Sequence, residues 1–248
     1  MPAKNVKEII SKEEITEILL HGEIDLQGQF ILGSNYTFLV RLEHKGKCIK
    51  AVYKPSEGEM PLWDFPAETL AARETAAYLI SEALEWELVP PTAMRSKGPF
   101  GKGSLQLFIP HDPELNYFSF DKAIRDRLEP AAVFDMVINN ADRKGSHIIL
   151  DENQHIWLID HGLCFHPISK LRTVIWDFSG RPIKKELVDQ LGSLAEKLKK
   201  DKEFTEKLSN FLNPEEISAI KKRILFIINH PVFPTPDTNK RQFPWPLV

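Results

Sequence analysis

The chain has 248 residues, 42% of them hydrophobic and 27% charged, with a formal net charge of −3 and a pI near 6.3. That composition fits a soluble protein with a substantial core, built as one large domain or two lobes, and a charge so near neutral excludes general attraction to nucleic acid or anionic lipid. No apolar run approaches the roughly 18–20 residues of a membrane span, and Met1 to Leu20 lacks a signal-peptide core. Cys48 and Cys164 are far apart and are expected to stay reduced, so the expected location is the cytoplasm.

Taken in chain order, Ser11 to Leu20 reads as a helix, with Ser11 and Glu14 at capping-box spacing. Gly28 to Gly33 and the alternating Phe38, Val40 and Leu42 read as two antiparallel strands joined at Gly33 to Asn35. A turn at His44 to Lys47 leads to a third strand, Cys48 to Tyr53, which ends at Lys54-Pro55. Glu68 to Leu84 is predicted helical and is closed by Pro90-Pro91. Strands are expected at Thr92 to Arg95 and Ser104 to Ile109. Beyond His111 the pattern becomes helical, over Phe120 to Leu128 and Pro130 to Asn139. His147 to Ile159 reads as a hairpin, and Lys184 to Lys199, Lys202 to Phe211 and Pro214 to Asn229 as three surface helices. The tail from Pro231 to Val248 holds five prolines and is predicted to lack regular structure. It is expected to pack back on the helical part, the other reading being capture of a partner in a polyproline groove.

The hairpin carries the strongest chemical signal. Asp142 precedes its first strand and Asp160, 18 residues on, ends its second, so both carboxylates should meet at one edge. Two nearby carboxylates with Lys144 beside one of them can bind a divalent cation and orient a hydroxyl, which is what phosphoryl transfer requires. Lys54, at a strand end, can neutralise phosphate oxygens. Glu74 lies among Leu70, Ala71, Ala77 and Tyr78 on an apolar helix stripe, where a carboxylate needs a cation, and Lys54 is its natural partner. Gly33, Ser34 and Asn35 form a turn whose backbone could approach phosphates, although an ordinary hairpin turn reads the same. His147 is either a metal ligand or a packed structural histidine.

These residues together resemble the protein-kinase-like superfamily, in its atypical branch with phosphatidylinositol 3-/4-kinase-like and HipA-type proteins. The resemblance rests on Val52-Tyr-Lys54-Pro, Pro61-Leu-Trp-Asp-Phe-Pro66, Arg73-Glu74-Thr-Ala-Ala-Tyr78, Asn140-Ala-Asp142-Arg143, Ile159-Asp160-His-Gly-Leu-Cys-Phe-His166 and the closing Phe243-Pro-Trp-Pro-Leu-Val248. It implies an α+β, two-lobed protein-kinase-like fold: a β-rich N-lobe over residues 1–109 and a mainly helical C-lobe over 110–248. It implies Lys54 and Glu74 as the phosphate-binding pair, Asp142 as the catalytic-loop aspartate with Lys144 beside it, and Asp160 as metal ligand. The hinge that reads adenine through backbone groups would be Gln106 to Ile109, including Phe108. Where the family pattern has a second metal-binding asparagine, five residues after Asp142, this chain has His147. The implied cofactors are ATP with Mg2+, or Mn2+ given that histidine. The expected partners are a nucleotide and an unidentified acceptor, protein or small molecule, with no nucleic acid and no membrane segment. The expected activity is therefore an atypical kinase, with a weak or inactive nucleotide-sensing scaffold and a nucleotidyl transferase as the alternatives.

Overall fold

The computed structural model describes residues 10–31, 35–237 and 239–248. Five antiparallel strands form one sheet in the order β1-β2-β3-β5-β4, made of β1 (Glu23–Gln29), β2 (Phe38–His44), β3 (Lys47–Pro55), β4 (Thr92–Arg95) and β5 (Gly103–Leu107). One face packs on α1 (Lys12–His21), whose Ile18 and Leu19 join Val40, Leu42, Ala51, Tyr53, Ala93 and Leu105 in a small core. The predicted capping box holds α1: the Ser11 hydroxyl accepts from Glu14 N–H at 3.2 Å, and the Glu14 carboxylate accepts from Ser11 N–H at 2.9 Å.

The first strand corrects the sequence reading, since it runs over Glu23–Gln29 and not Gly28 to Gly33. It is an edge strand with Ile24 alone half-buried and the rest exposed, so it carries none of the alternation that betrays a covered strand. The turn residues Gly33 and Ser34 lie outside the described residues.

Between sheet and helices, α2 (Leu70–Leu84) is buried over almost its whole length, Arg73 and Glu74 included. Its first turn is capped from a distance. Thr69, in the capping position, spends its hydroxyl on the Pro66 carbonyl, and Glu59 accepts from Leu70 N–H at 3.0 Å and Ala71 N–H at 2.9 Å instead. Glu59→Ala is expected to cost about 1–2 kcal/mol, read as a fall in melting temperature with the fold otherwise retained. An unchanged melting temperature would show that water caps the helix equally well.

The larger core gathers the second half of α2 with α4 (Glu129–Ile138), the hairpin β6 (Ile148–Leu150) and β7 (Ile156–Leu158), α5 (Lys185–Lys200), α6 (Lys202–Ser209) and α7 (Pro214–Asn229); the short α3 (Lys122–Asp126) precedes α4. In α5 the buried Leu187, Leu191, Leu194 and Leu198 recur at helical spacing, which is why its polar remainder faces water. The hairpin is anchored where Leu158 N–H donates to the Leu88 carbonyl at 2.7 Å, fixing it against the connector that follows α2. Cys48 is exposed, Cys164 is buried, and both are free thiols. Among the described residues, no helix is long and apolar enough to cross a membrane.

Candidate active site

Four elements converge at the end of the hairpin. β3 carries Lys54 one residue before its end, α2 offers Glu74 from its buried face, the loop after α4 carries Asp142, and the turn after β7 carries Asp160. Lys54 Nζ is ion-paired with Glu74 and also bonds Asp160 Oδ1 at 3.0 Å. The second oxygen of Glu74 accepts the His161 backbone N–H at 2.9 Å. A buried carboxylate thus has a cation on one oxygen and a donor on the other, the condition under which burying it is tolerable.

The charge states follow from these contacts. Burial works against the Lys54 ammonium, but Asp160 and then Glu74 outweigh it and raise its pKa, so it stays charged. Desolvation also opposes the charge on Asp160, yet Lys54 and then His147 hold its carboxyl well below the usual carboxylate range. Burial likewise pushes Glu74 upward, and Lys54 more than reverses it. Asp142 behaves differently: burial pushes it up to about 6, the Lys144 ammonium pulls it back, and the Asp160 charge adds to the rise. Lys144 Nζ stands 3.4 Å from Asp142 Oδ2.

The run Asn139-Asn140-Ala141-Asp142 is built for position. Asn139 closes α4 in the left-handed region at φ 54°, a conformation asparagine tolerates better than most residues. Asn140 Oδ1 then accepts the Asp142 N–H at 2.9 Å, while its Nδ2 donates to Asp135 at 3.0 Å. Ala141 N–H donates to Leu163 O at 2.9 Å, tying this loop to the turn that holds Asp160.

His147 Nε2 faces Asp160 Oδ2 at 3.2 Å, and its Nδ1 lies 3.1 Å from the Asp142 carbonyl. With a proton on Nδ1 donated to that carbonyl, the Nε2 lone pair confronts a carboxylate oxygen. Two acceptors so arranged fit a cation between them. Burial lowers the His147 pKa to about 4, which keeps the imidazole neutral and able to donate its lone pair. Among the described residues no group of three or more His, Cys, Asp and Glu gathers as a metal cluster, so a divalent ion here would take its remaining ligands from phosphate and water.

The residues expected to line a nucleotide are placed unevenly. The Asn35 side-chain oxygen is occupied by Met60 N–H at 2.7 Å, so it braces the loop after β3. The Gln106 side-chain amide is buried and donates to Thr92 Oγ1 at 2.9 Å, so the side chain braces β5 against β4. The Phe108 N–H is spent on the Lys50 carbonyl at 3.0 Å and cannot serve a base; Ile109 is buried, with its carbonyl 2.8 Å from His111 Nδ1.

One hub escaped the sequence reading. Arg143, fully buried, forks onto Asp135 at 3.0 to 3.2 Å and also donates to the Ile159 carbonyl at 2.8 Å, with Nη2 2.9 Å from His161 Nε2. Asp135 was findable by the argument that found Glu74, since it lies three and four residues from the buried Ala132, Ala131 and Ile138 on α4. A second buried pair, Arg73 with Glu216, ties α2 to the first turn of α7, and Arg73 also donates to the Cys164 carbonyl at 2.6 Å.

Comparison with known proteins bears on the whole arrangement. Residues 65–213 match the family model described as phosphatidylinositol 3- and 4-kinase. Protein Rv2133c of Mycobacterium tuberculosis is 37% identical over 264 aligned residues, covering 92% of this chain and 94% of that protein. Two solved structures share the fold at low identity. Hydra Fam20, determined with sugar, gives a TM-score of 0.54 at 13% identity over 89% of each chain. The proinflammatory kinase CtkA of Helicobacter pylori gives 0.54 at 12% identity, covering 86% of this chain and 94% of its own. The architecture is accordingly the α+β, two-lobed protein-kinase-like fold expected from the sequence. By the family model, which spans more than half of its length, the chain belongs to the phosphatidylinositol 3- and 4-kinase family.

Proposed function

We propose that this protein is an ATP-dependent phosphotransferase of the atypical kinase type, which moves a phosphoryl group onto a hydroxyl of a protein or small molecule. The observation that carries this reading is the meeting of Lys54, Glu74 and Asp160 within one hydrogen-bonded group, beside Asp142 and Lys144. In phosphoryl transfer the protein has little covalent work to do, so position and fixed charge supply most of the rate. Lys54, oriented by Glu74, would hold phosphate oxygens. Asp160 and His147 would hold a divalent cation, which when bound supplies positive charge to the phosphates. Asp142 would accept the proton of the attacking hydroxyl, and Lys144 would offset charge on the moving group.

Calorimetry of ATP binding with magnesium, with manganese and without metal tests the reading, comparing the natural chain with Asp160→Ala. Metal-dependent binding that weakens by about tenfold or more in the variant is expected, because the one carboxylate bonded to Lys54 and facing His147 is gone. No binding under any of the three conditions would sink the proposal. Incubation with ATP followed by mass measurement separates the chemistries, since one phosphoryl group gained supports a kinase and one adenylyl group gained supports nucleotidyl transfer.

The imidazole at 147 makes a further distinction. Nitrogen donors suit manganese better than magnesium. His147→Asn, which restores an oxygen donor, is expected to raise turnover with magnesium several-fold relative to turnover with manganese. An unchanged ratio would return His147 to a packing role.

A further inference from the structure

The last eight residues contact the catalytic loop itself. Gly145 N–H, three residues from Asp142, donates to the Leu247 carbonyl at 2.7 Å. Nearby, Thr173 N–H donates to the Gln242 carbonyl at 3.1 Å. Thr173 in turn forms a parallel bridge with Arg143, since Arg143 N–H donates to Arg172 O at 3.0 Å and Val174 N–H to Arg143 O at 3.2 Å. Three layers therefore run side by side: the Asp142 loop, the 172–174 segment, and the tail, which bonds to both. The tail is seated by more than these two bonds. Its Gln242 side-chain oxygen accepts Asp237 N–H at 2.8 Å, the Phe243 ring lies 6.2 Å from that of Trp176, and Pro244 is buried.

Gly145 is where the strap closes. Its carbonyl accepts Tyr117 N–H at 3.2 Å while its N–H takes the tail. A Cβ there would stand 2.9 Å from the ring of the half-exposed Phe118, which would have to turn aside, and in ordinary contact at 3.5 Å with the Leu247 oxygen, so glycine lets the three segments close without moving that ring. Arg241, at the start of the strap, adds a positive charge that acts on Asp142.

We propose that residues 241–248 are a positioning element of the transfer site: the tail straps the Asp142 loop to the 172–174 segment and fixes the base relative to the acceptor. The proposal rests on the phosphotransferase reading for its catalytic consequence, and on the hydrogen bonds alone for its mechanical one. A base displaced by about 1 Å loses on the order of 10²-fold in rate, so a strap made of two main-chain bonds, one to Gly145 in the Asp142 loop and one to Thr173 in the segment paired with Arg143, has leverage on turnover out of proportion to its size.

The experiment compares the full chain with a chain ending at Arg241 and with full-length Pro244→Gly, which loosens the strap without shortening it. Each is measured for Mg-ATP affinity, for phosphate release from Mg-ATP with water as acceptor, and for backbone hydrogen exchange over residues 142–147. Affinity within about twofold, turnover lower by about tenfold or more, faster exchange at the loop, and recovery on adding a synthetic 242–248 peptide are expected. Turnover unchanged or increased on truncation would overturn the proposal, an increase meaning that the tail obstructs the site. Should the shortened chain fail to fold, Pro244→Gly carries the same expectations. Absence of Mg-ATP binding in the natural chain would instead be the failure of the phosphotransferase reading. Hydrogen exchange then decides about the strap: unchanged protection of 142–147 after truncation overturns it, and lost protection supports it.

Discussion

Asp142→Asn is expected to lower phosphoryl transfer from ATP by about 10²–10⁴-fold while leaving nucleotide affinity and folding in place. The substitution preserves shape, and the loop does not depend on the side chain it alters. Asp142 is held through its N–H by Asn140 Oδ1 at 2.9 Å, and its carboxylate is ion-paired with Lys144 at 3.4 Å. The sign of any stability change is also fixed. An acid whose folded pKa is raised, here from 3.8 to about 6 by burial, begins to cost stability as pH passes its unfolded value, and the cost is complete above about pH 6. Replacing it by a neutral amide should leave the melting temperature in neutral buffer equal or higher. The pattern of an inactive yet undamaged protein marks a group kept for chemistry against the interest of folding. Transfer at the natural rate would remove Asp142 from the mechanism, and a fall in melting temperature matching the loss of activity would make its role architectural.

What the sequence disclosed follows the range of the interaction. Asp142 and Asp160 lie at the two ends of one short hairpin, so their meeting required only the turn at Asp151 to Gln154 and two three-residue strands. Glu74 was legible because a carboxylate in an apolar helical stripe demands a cation, and that demand holds in any fold. Asp135 issued the same demand, but its partner lies beyond the end of its own helix, eight residues on, in a pair of basic residues where Lys144 offered the more obvious role. The edge strand β1 left no trace because one half-buried residue in seven makes no alternation. The tail gave the least away. Composition shows that five prolines cannot be regular structure, yet the contact of Leu247 with Gly145 spans a hundred residues of chain and uses only main-chain atoms, which carry no side-chain signature. Gln106 and Phe108 stand where a hinge should begin, and only the structure shows the Gln106 side-chain amide bonded to Thr92 Oγ1 and the Phe108 N–H to the Lys50 carbonyl.

The largest effect on stability is expected from Arg143→Leu. Removing one member of a buried ion pair leaves the other charged and unpaired, a loss of about 3–5 kcal/mol, which for a chain of this size lowers the melting temperature by roughly 6–20 °C. The geometry places Arg143 at the upper end of that range. Both side chains of the Arg143–Asp135 pair are fully buried, and the guanidinium also satisfies the Ile159 and His147 carbonyls at 2.8 and 3.3 Å. Arg143→Lys should recover little, because an ammonium cannot fork onto Asp135 while reaching those carbonyls. The double variant Asp135→Leu with Arg143→Leu is the sharper test, since it removes the stranded charge together with the lost bond. It should be more stable than Arg143→Leu alone, with a coupling of about 1–3 kcal/mol. Strict additivity of the two substitutions would mean that the pair is not what holds the loop. The functional consequence runs through Asp160, whose neighbours on both sides are gripped by the same guanidinium: Ile159 by its carbonyl and His161 by its Nε2. Once that grip is gone, Asp160 is no longer fixed against Lys54 and His147. Metal-dependent ATP binding should therefore weaken in Arg143→Lys even at temperatures where the variant remains folded.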